Sequence, residues 1–320
     1  MLQARGYKSK LVAEFETAYG ITPITPVGIL LPINDFKVAA KQNLIASATI
    51  RGRRDEAPPA LGTIDVTGTA TVPVDEVNFG YWLKMMFGVP TTTGSVDPYS
   101  HLFKLVDTQP SMVFEEQFPD VPDYKLLNGC KVNKFSMSFD KSSNKELTAT
   151  IDLIGQKETH AITSAFTAPT TLTLAKFYDY QLAIKEGGVA LATVSKADFA
   201  MDFGLDTGSY ALDGTPYRAA LPEGLTKVTG NVTAFFGDME LLNKAINSTM
   251  SSLELTLTNG THSLGFVMQE IIYQLQSPMI DSAKGVLVTL PFTAFYNAGA
   301  ANSAFQATLI NGHASYAADI

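Results

Sequence analysis

Cysteine is nearly missing from this chain. It occurs once in 320 residues, as Cys130, which excludes an intrachain disulfide framework and a multi-cysteine zinc site and suits folding in a reducing compartment. Charge is scarce too, at 17% Asp, Glu, Lys and Arg against about 25% in an average soluble domain. Thr, Ser, Asn and Gly must cover the surface instead, a profile that fits a β-rich protein with much of its surface inside an assembly. Hydrophobic residues reach 46%, so intrinsic disorder, which needs low hydrophobicity and high charge, is excluded. Basic charge is in deficit, with 23 Lys and Arg against 31 Asp and Glu and a formal charge of −8. A protein that grips nucleic acid by neutralising phosphates is therefore disfavoured. No apolar run is long enough to cross a bilayer, and Met1 to Lys10 lacks the apolar stretch of a signal peptide. Neither membrane insertion nor export is expected, and the sequons at Asn231, Asn247 and Asn259 read as chance matches.

Constellations that carry chemistry are also wanting. His101, His160, His262 and His313 stand singly on expected loops or turns, without the paired spacing of a zinc site or proton relay; each is expected in a surface or capping role. No Gly-Lys-Ser/Thr phosphate loop, dinucleotide-binding glycine motif or nucleophile elbow occurs. Glu115-Glu116 and Asp55-Glu56 are adjacent, so on a strand each pair splits to opposite faces and cannot act as acid and base together. Cys130 has no neighbouring histidine and reads as a structural thiol. No catalytic residue, metal or cofactor is expected, and that emptiness points to a structural role.

What the chain does contain is period-2 alternation. Ile64 to Val72 sets Asp65, Thr67, Thr69 and Thr71 on one face and apolar side chains on the other. Lys134–Asp140 and Glu146–Leu153 alternate likewise around the polar Lys141–Lys145, which predicts an antiparallel pair. Ser252–Thr258 runs into Asn259-Gly260 and a second alternating segment, a hairpin signal because Asn-Gly supplies the positive φ angles of a tight turn. One helix is predicted after Asp75 as N-cap: Phe79, Trp82, Leu83, Met86 and Phe87 share a face before Gly88 and Pro90.

An internal repeat organises these elements. Val66-Thr67-Gly68-Thr69-Ala70-Thr71 returns as Val228-Thr229-Gly230-Asn231-Val232-Thr233, at an offset of 162 from Val66 to Val228. Around it, Asn34-Asp35-Phe36 falls on Ala197-Asp198-Phe199, Arg54 to Pro58 on Arg218 to Pro222, and Asp75 on Asp238. Further on, Ser111–Glu115 parallels Ser252–Thr256 and Leu147–Leu153 parallels Val286–Pro291. The expected architecture is a mainly β chain of two tandem sandwich-like domains with one helix each, at 1–165 and 166–298. Residues 299–320, rich in Ala, Asn and Gly, read as a C-terminal extension.

Several blocks carry a family resemblance: Ala4-Arg5-Gly6, Phe15–Gly20, Val66–Asp75, Asn78–Leu83, the Gly88–Gly94 loop and Pro110-Ser111-Met112. Together they are similar to the major tail tube protein of long flexible-tailed bacteriophages. The resemblance implies a two-sheet sandwich plus helix, whose inner sheet joins its neighbours' into a β-barrel channel when rings assemble and stack. It implies a structural virion protein of the tail, assembled in the host cytoplasm. Its partners would be other copies of itself, the tape measure protein and double-stranded DNA in the lumen, and tail terminator and distal tail proteins at the tube ends. Single-domain relatives form six-domain rings, so two domains per chain imply trimers with pseudo-sixfold symmetry. The resemblance also implies an inter-ring role for the long Leu44–Leu61 segment, with Arg51, Arg53, Arg54, Asp55 and Glu56 as ion-pair candidates and Arg218 and Glu223 in the second copy's Leu205–Gly224. Lumen-lining candidates, taken from the polar strand faces, are Asp65, Thr67, Thr69, Thr71, Ser136, Ser138, Thr148, Thr150 and Asp152, with Glu254 and Thr256 in the second copy. The rival reading is a β-sandwich adhesin or carbohydrate-binding tail protein. Such a protein should cluster aromatics in exposed loops, whereas the single tryptophan here sits in the helix stripe.

Overall fold

The computed structural model describes residues 3–142, 145–280, 285–299 and 302–317. Alternating runs become strands wherever one face finds apolar cover. The first half contains β1 (Lys10–Phe15), β2 (Ile29–Leu31), β3 (Asp35–Phe36), β4 (Ala39–Ile45), β5 (Ala60–Pro73), β6 (Thr91–Thr93), β7 (Tyr99–Lys104), β8 (Met112–Phe118), β9 (Asp123–Asp140) and β10 (Thr148–Gly155). Then follow β11 (Lys157–Ala161), β12 (Thr170–Thr171), β13 (Leu182–Glu186), β14 (Val189–Ala190), β15 (Val194–Asp202), β16 (Lys227–Phe235), β17 (Ser251–Asn259), β18 (His262–Tyr273), β19 (Leu287–Ala294) and β20 (Gln306–Asn311). Two helices, α1 (Phe79–Phe87) and α2 (Glu240–Ile246), follow β5 and β16. Among these strands only β12 with β2 pairs in parallel.

The two Val-Thr-Gly strands sit in matching surroundings. β5 pairs with β10 so that Gly68 faces Leu153, and β16 pairs with β19 so that Gly230 faces Phe292. A Cβ on Gly68 would collide with the Lys37 carbonyl, and one on Gly230 with the Asp198 carbonyl. The glycine of each Val-Thr-Gly motif therefore admits the same close backbone approach at the same rung. This rung places Lys37 on Asp198 and Phe36 on Ala197, two residues from the alignment read off the sequence. β8 likewise matches β17 with Met112 at Ser251, because these face Cys130 and Ile271 in the two copies. A slip of two leaves every side chain on its original face, so hydrophobic alternation alone could not detect it.

One layer runs through both copies: β3 and β4 lie beside β5, then come β10, the second half of β9, β15, β16 and β19. The other layer holds β2, β1, β8, the first half of β9 and β11 in the first copy. In the second it holds β14, β13, β17, β18, β20, β7 and β6. The first layer is open in the single chain, with no closure into a barrel.

Helix α1 is wholly buried, and Trp82 stacks on Phe114 at 5.5 Å and Phe87 on Phe305 at 5.7 Å. Asp75 caps the approach to it, accepting the Val77 and Asn78 N–H groups at 2.9 and 2.7 Å. Burial pushes that carboxyl up to about 6 against the opposing pull of these donors. Asp238 accepts from Glu240 N–H at 2.9 Å ahead of α2. One hydrophobic core spans both copies, from Leu11 and Trp82 to Phe266 and Phe305.

The C-terminal segment is more than an appendage. β20 is inserted between β18 of the second copy and β7 of the first, and Tyr316 packs edge-on against Tyr81 while its hydroxyl donates to Val77 O at 2.7 Å. His101 departs from its expected surface role. It is fully buried under this segment, bonded to Thr92, Asn311 and the His313 carbonyl, and burial holds its pKa down.

Candidate assembly surfaces

The shared layer turns an apolar face to the core and a polar face outward. Cross-strand pairing puts Thr71, Thr150, Ser136 and Ala200 in one row, and Asp35 next to Thr71. A second row runs Thr69, Asp152, Lys134, Asp202 and Lys227. Thr67, Thr148 and Ser138 lie on the same face, with Ser138 beside Asp198 and Asn231. Most of the lumen candidates are thus brought together. Glu254 and Thr256 are not: they lie on β17 in the other layer, where Glu254 is 3.7 Å from Lys185 and Thr256 pairs with Ala183. Alternation tells a strand's two faces apart but does not tell which sheet the strand joins.

Sequence reasoning also missed members of this face. Lys134, Lys196 and Lys227 stand across from Asp152, Asp140 and Asp202, and Lys37 lies 3.2 Å from Asp35. Thr229, Asn231, Thr233 and Thr289 extend the hydroxyl and amide rows, with Thr233 and Thr289 hydroxyls 2.9 Å apart. The alternation of Lys196, Asp198, Ala200 and Asp202 was available to find several of them. The result is a face of hydroxyls and alternating opposite charges.

The two copies meet within this sheet. β15 pairs with β9 over seven residues, from Lys196 opposite Asp140 to Asp202 opposite Lys134. On the core side the pairs are Ala197 with Phe139, Phe199 with Met137 and Met201 with Phe135, all buried. The junction combines main-chain bonds with apolar cover. The outer edges of the sheet, β3/β4 at one end and β19 at the other, are paired on their inner side and have no strand partner over much of their outer side among the described residues.

The two long connections behave differently. The first continues as a hairpin, Leu44 opposite Leu61 and Ile45 opposite Ala60, and ends in an irregular tip. Arg51, Arg53, Arg54, Asp55 and Glu56 are all exposed there and make no ion pair among the described residues. The second leaves its sheet after Asp202 and folds back as a strap over the first copy. Pro216 O accepts Ile64 N–H at 2.9 Å, and Arg218 O accepts from Gln156 at 2.9 Å. Arg218 is buried, bonded to Asp65, to Thr207 O at 2.9 Å and to Gly155 O at 3.3 Å, with Tyr210 donating to Asp65 at 2.7 Å. Glu223 meets Lys131 at 2.6 Å and Gln109 N–H at 2.8 Å. Arg218 and Glu223 are therefore internal fasteners, not free arm charges as the repeat suggested, and Asp65 is committed to Arg218 at the rim of the polar face. Arg54 and Arg218 align in sequence, yet one is in water and the other is buried.

Other charged groups also join the copies. His262 bridges Glu76 at 2.6 Å and Asp97 at 3.1 Å. Burial pulls its pKa down, but the two carboxylates outweigh this and leave it raised. Lys176 pairs with Glu146, whose carboxyl it holds below the usual range. Cys130 is buried, with its thiol pKa pushed well up by desolvation. Among the described residues no group of three His, Cys, Asp or Glu side chains is placed to hold a metal, and no helix is long and apolar enough to cross a membrane.

The chain thus presents an open sheet with a covered apolar face, a polar face of alternating opposite charges and edges open on their outer side. Residues 6–294 match the sequence model of the family described as phage tail tube protein, and the chain belongs to that family. It is a non-enzymatic component of the virion tail. No curated protein matches the chain.

Proposed function

We propose that three copies of this chain close into a ring with pseudo-sixfold symmetry and that such rings stack into the tail tube through which DNA reaches the host. The β9–β15 junction carries the reading. Two copies of one strand set are already joined edge to edge in a single sheet, so repeating that step between chains closes a barrel and removes the open edges. The shared core and the β20 clasp support rings counted by chains of two copies, rather than a second copy held as outer decoration.

The polar face of the shared layer then lines the channel. Asp35, Asp140, Asp152, Asp198 and Asp202 offset Lys37, Lys41, Lys134, Lys196 and Lys227 on it. DNA and the tape measure protein would pass a hydroxyl-rich wall without the net positive field that traps phosphate. The first arm, with five charges that have no ion-pair partner among the described residues, reaches the next ring. Exposed ion pairs are worth only about 0–1 kcal/mol each, but repetition around a ring multiplies them. Tail terminator and distal tail proteins would meet the same surfaces at the tube ends. A reconstruction of tubes assembled from purified protein tests these points together. Six chains per ring, a channel wall where lysine and arginine outnumber acids, or an arm lying against a neighbour within its own ring would each refute the corresponding statement.

A further inference from the structure

Among the described residues the second copy shows no strand equivalent to the distal half of β9. In the first copy β9 crosses both layers, and its distal half lies between β10 and β15. Its counterpart β18 enters the shared layer only at Ile271–Tyr273, against β19. Residues 274–280 then run on without strand geometry, leaving Leu275, Met279 and Ile280 at 53%, 65% and 86% exposure. At the far end of the same layer β3/β4 pairs with β5 on one side only, whereas its counterpart β15 is paired on both. The chain thus carries at its two ends the separate halves of a junction it makes once internally.

We propose that residues 274–280 fold into a strand against β3/β4 of a neighbouring copy, repeating the β9–β15 junction between chains. The proposal rests on the ring reading above. The phase of the pairing follows from three features. Gln274 N–H donates to Pro291 O at 2.8 Å, continuing the Ile271–Tyr273 ladder by one regular step. Continued further, that ladder turns the N–H groups of Leu275, Ser277 and Met279 toward the neighbour, while Pro278, which has no N–H, faces β19. The β9–β15 register then sets Leu275 opposite Ala40, Ser277 opposite Val38 and Met279 opposite Phe36. Those three partners line the core side: Val38 is fully buried and Phe36 lies 5.6 Å from the Phe114 ring. Leu275 and Met279 would take the places that Phe135 and Phe139 hold inside the chain. A slip of one residue would bury Gln276 and turn Pro278 toward the seam, losing a main-chain bond.

In the single chain, side chains occupy this edge. Lys125 Nζ donates to Val38 O at 3.0 Å, and Glu158 accepts Ala40 N–H at 2.7 Å. These are the groups that Ser277 N–H and Leu275 O would engage, so the two side chains shield the strand until a neighbour displaces them, as an open edge requires.

The pairing places Ala39 opposite Gln276, both exposed in the single chain. The double variant Ala39→Cys with Gln276→Cys, assembled into tubes and mildly oxidised, should give covalent multimers on a denaturing gel that reductant returns to single chains. Cys130, fully buried, stays out of the reaction. Ala39→Cys with Ser277→Cys reports the one-residue slip. Tubes of normal appearance that do not cross-link, or that cross-link better through the second pair, overturn the proposal. Hydrogen exchange of the unmodified chain tests it without substitution: the amides of Leu275, Ser277 and Met279 should slow by about tenfold or more on assembly, and unchanged exchange in intact tubes overturns it. If the unmodified chain forms no tubes at all, the ring reading fails instead.

Discussion

Replacing Gly230 by alanine should damage the wall at its most crowded rung. The new Cβ would sit 2.5 Å from Phe292 Cζ and closer still to the Asp198 carbonyl, inside the 3.0 Å that such atoms essentially never breach. Phe292 is buried and the carbonyl is held in the β15–β16 ladder, so neither yields freely. Overpacking of this kind costs about 1–3 kcal/mol, and a clash with backbone belongs at the upper end. With an unfolding entropy of about 2.1 cal/mol/K per residue, a chain of this length should lose roughly 4–5 °C in Tm for about 3 kcal/mol. Gly68→Ala should behave the same way, because it meets the Lys37 carbonyl and Val38 Cα in the equivalent place. Gly265→Ala is the control: it too is a buried strand glycine, but its nearest neighbour is Thr256 Oγ1 at 3.7 Å, so only a small effect is expected. Thermal unfolding followed by circular dichroism compares the three. Gly230→Ala as stable as Gly265→Ala would refute the argument that this glycine exists to admit a carbonyl.

Arg218→Ala should cost about 2–3 kcal/mol, because it strips a buried guanidinium from Asp65 and two carbonyls; the low end applies since Asp65 is 36% exposed. A urea midpoint unchanged from the parent would show that the strap is not fastened there. His262 has a raised folded pKa, so its contribution is fully present below the ordinary value of 6.5 and is lost as pH rises through the raised one. His262→Gln should flatten that part of the stability-pH curve, and an unaltered slope in parallel urea titrations would exclude the Glu76 and Asp97 bridge as its source.

The sequence by itself determined the elements and the recurrence of the Val-Thr-Gly motif. Alternation located β5, β9, β10, β17 and β18, Asn259-Gly260 marked the β17–β18 turn with Gly260 at φ 63°, and the apolar stripe located α1. These are local signals, and each reports which side of one element is apolar. The tertiary structure decided what those sides meet. Only pairing showed that β17 belongs to the other layer, taking Glu254 and Thr256 off the polar face, and that β3 and β8 align two residues away from their sequence match while the Val-Thr-Gly strands keep theirs. Burial of His101 depends on Asn311 and His313, more than two hundred residues away along the chain. Arg218 and Arg54 share a motif but differ in fate, because the second arm folds upon the first copy and Arg54 stays exposed, with no ion pair among the described residues. A pattern of period two carries no information about which neighbour fills the next rung, and a repeat cannot show which of its two copies will be covered; the packing of one copy against the other settles both.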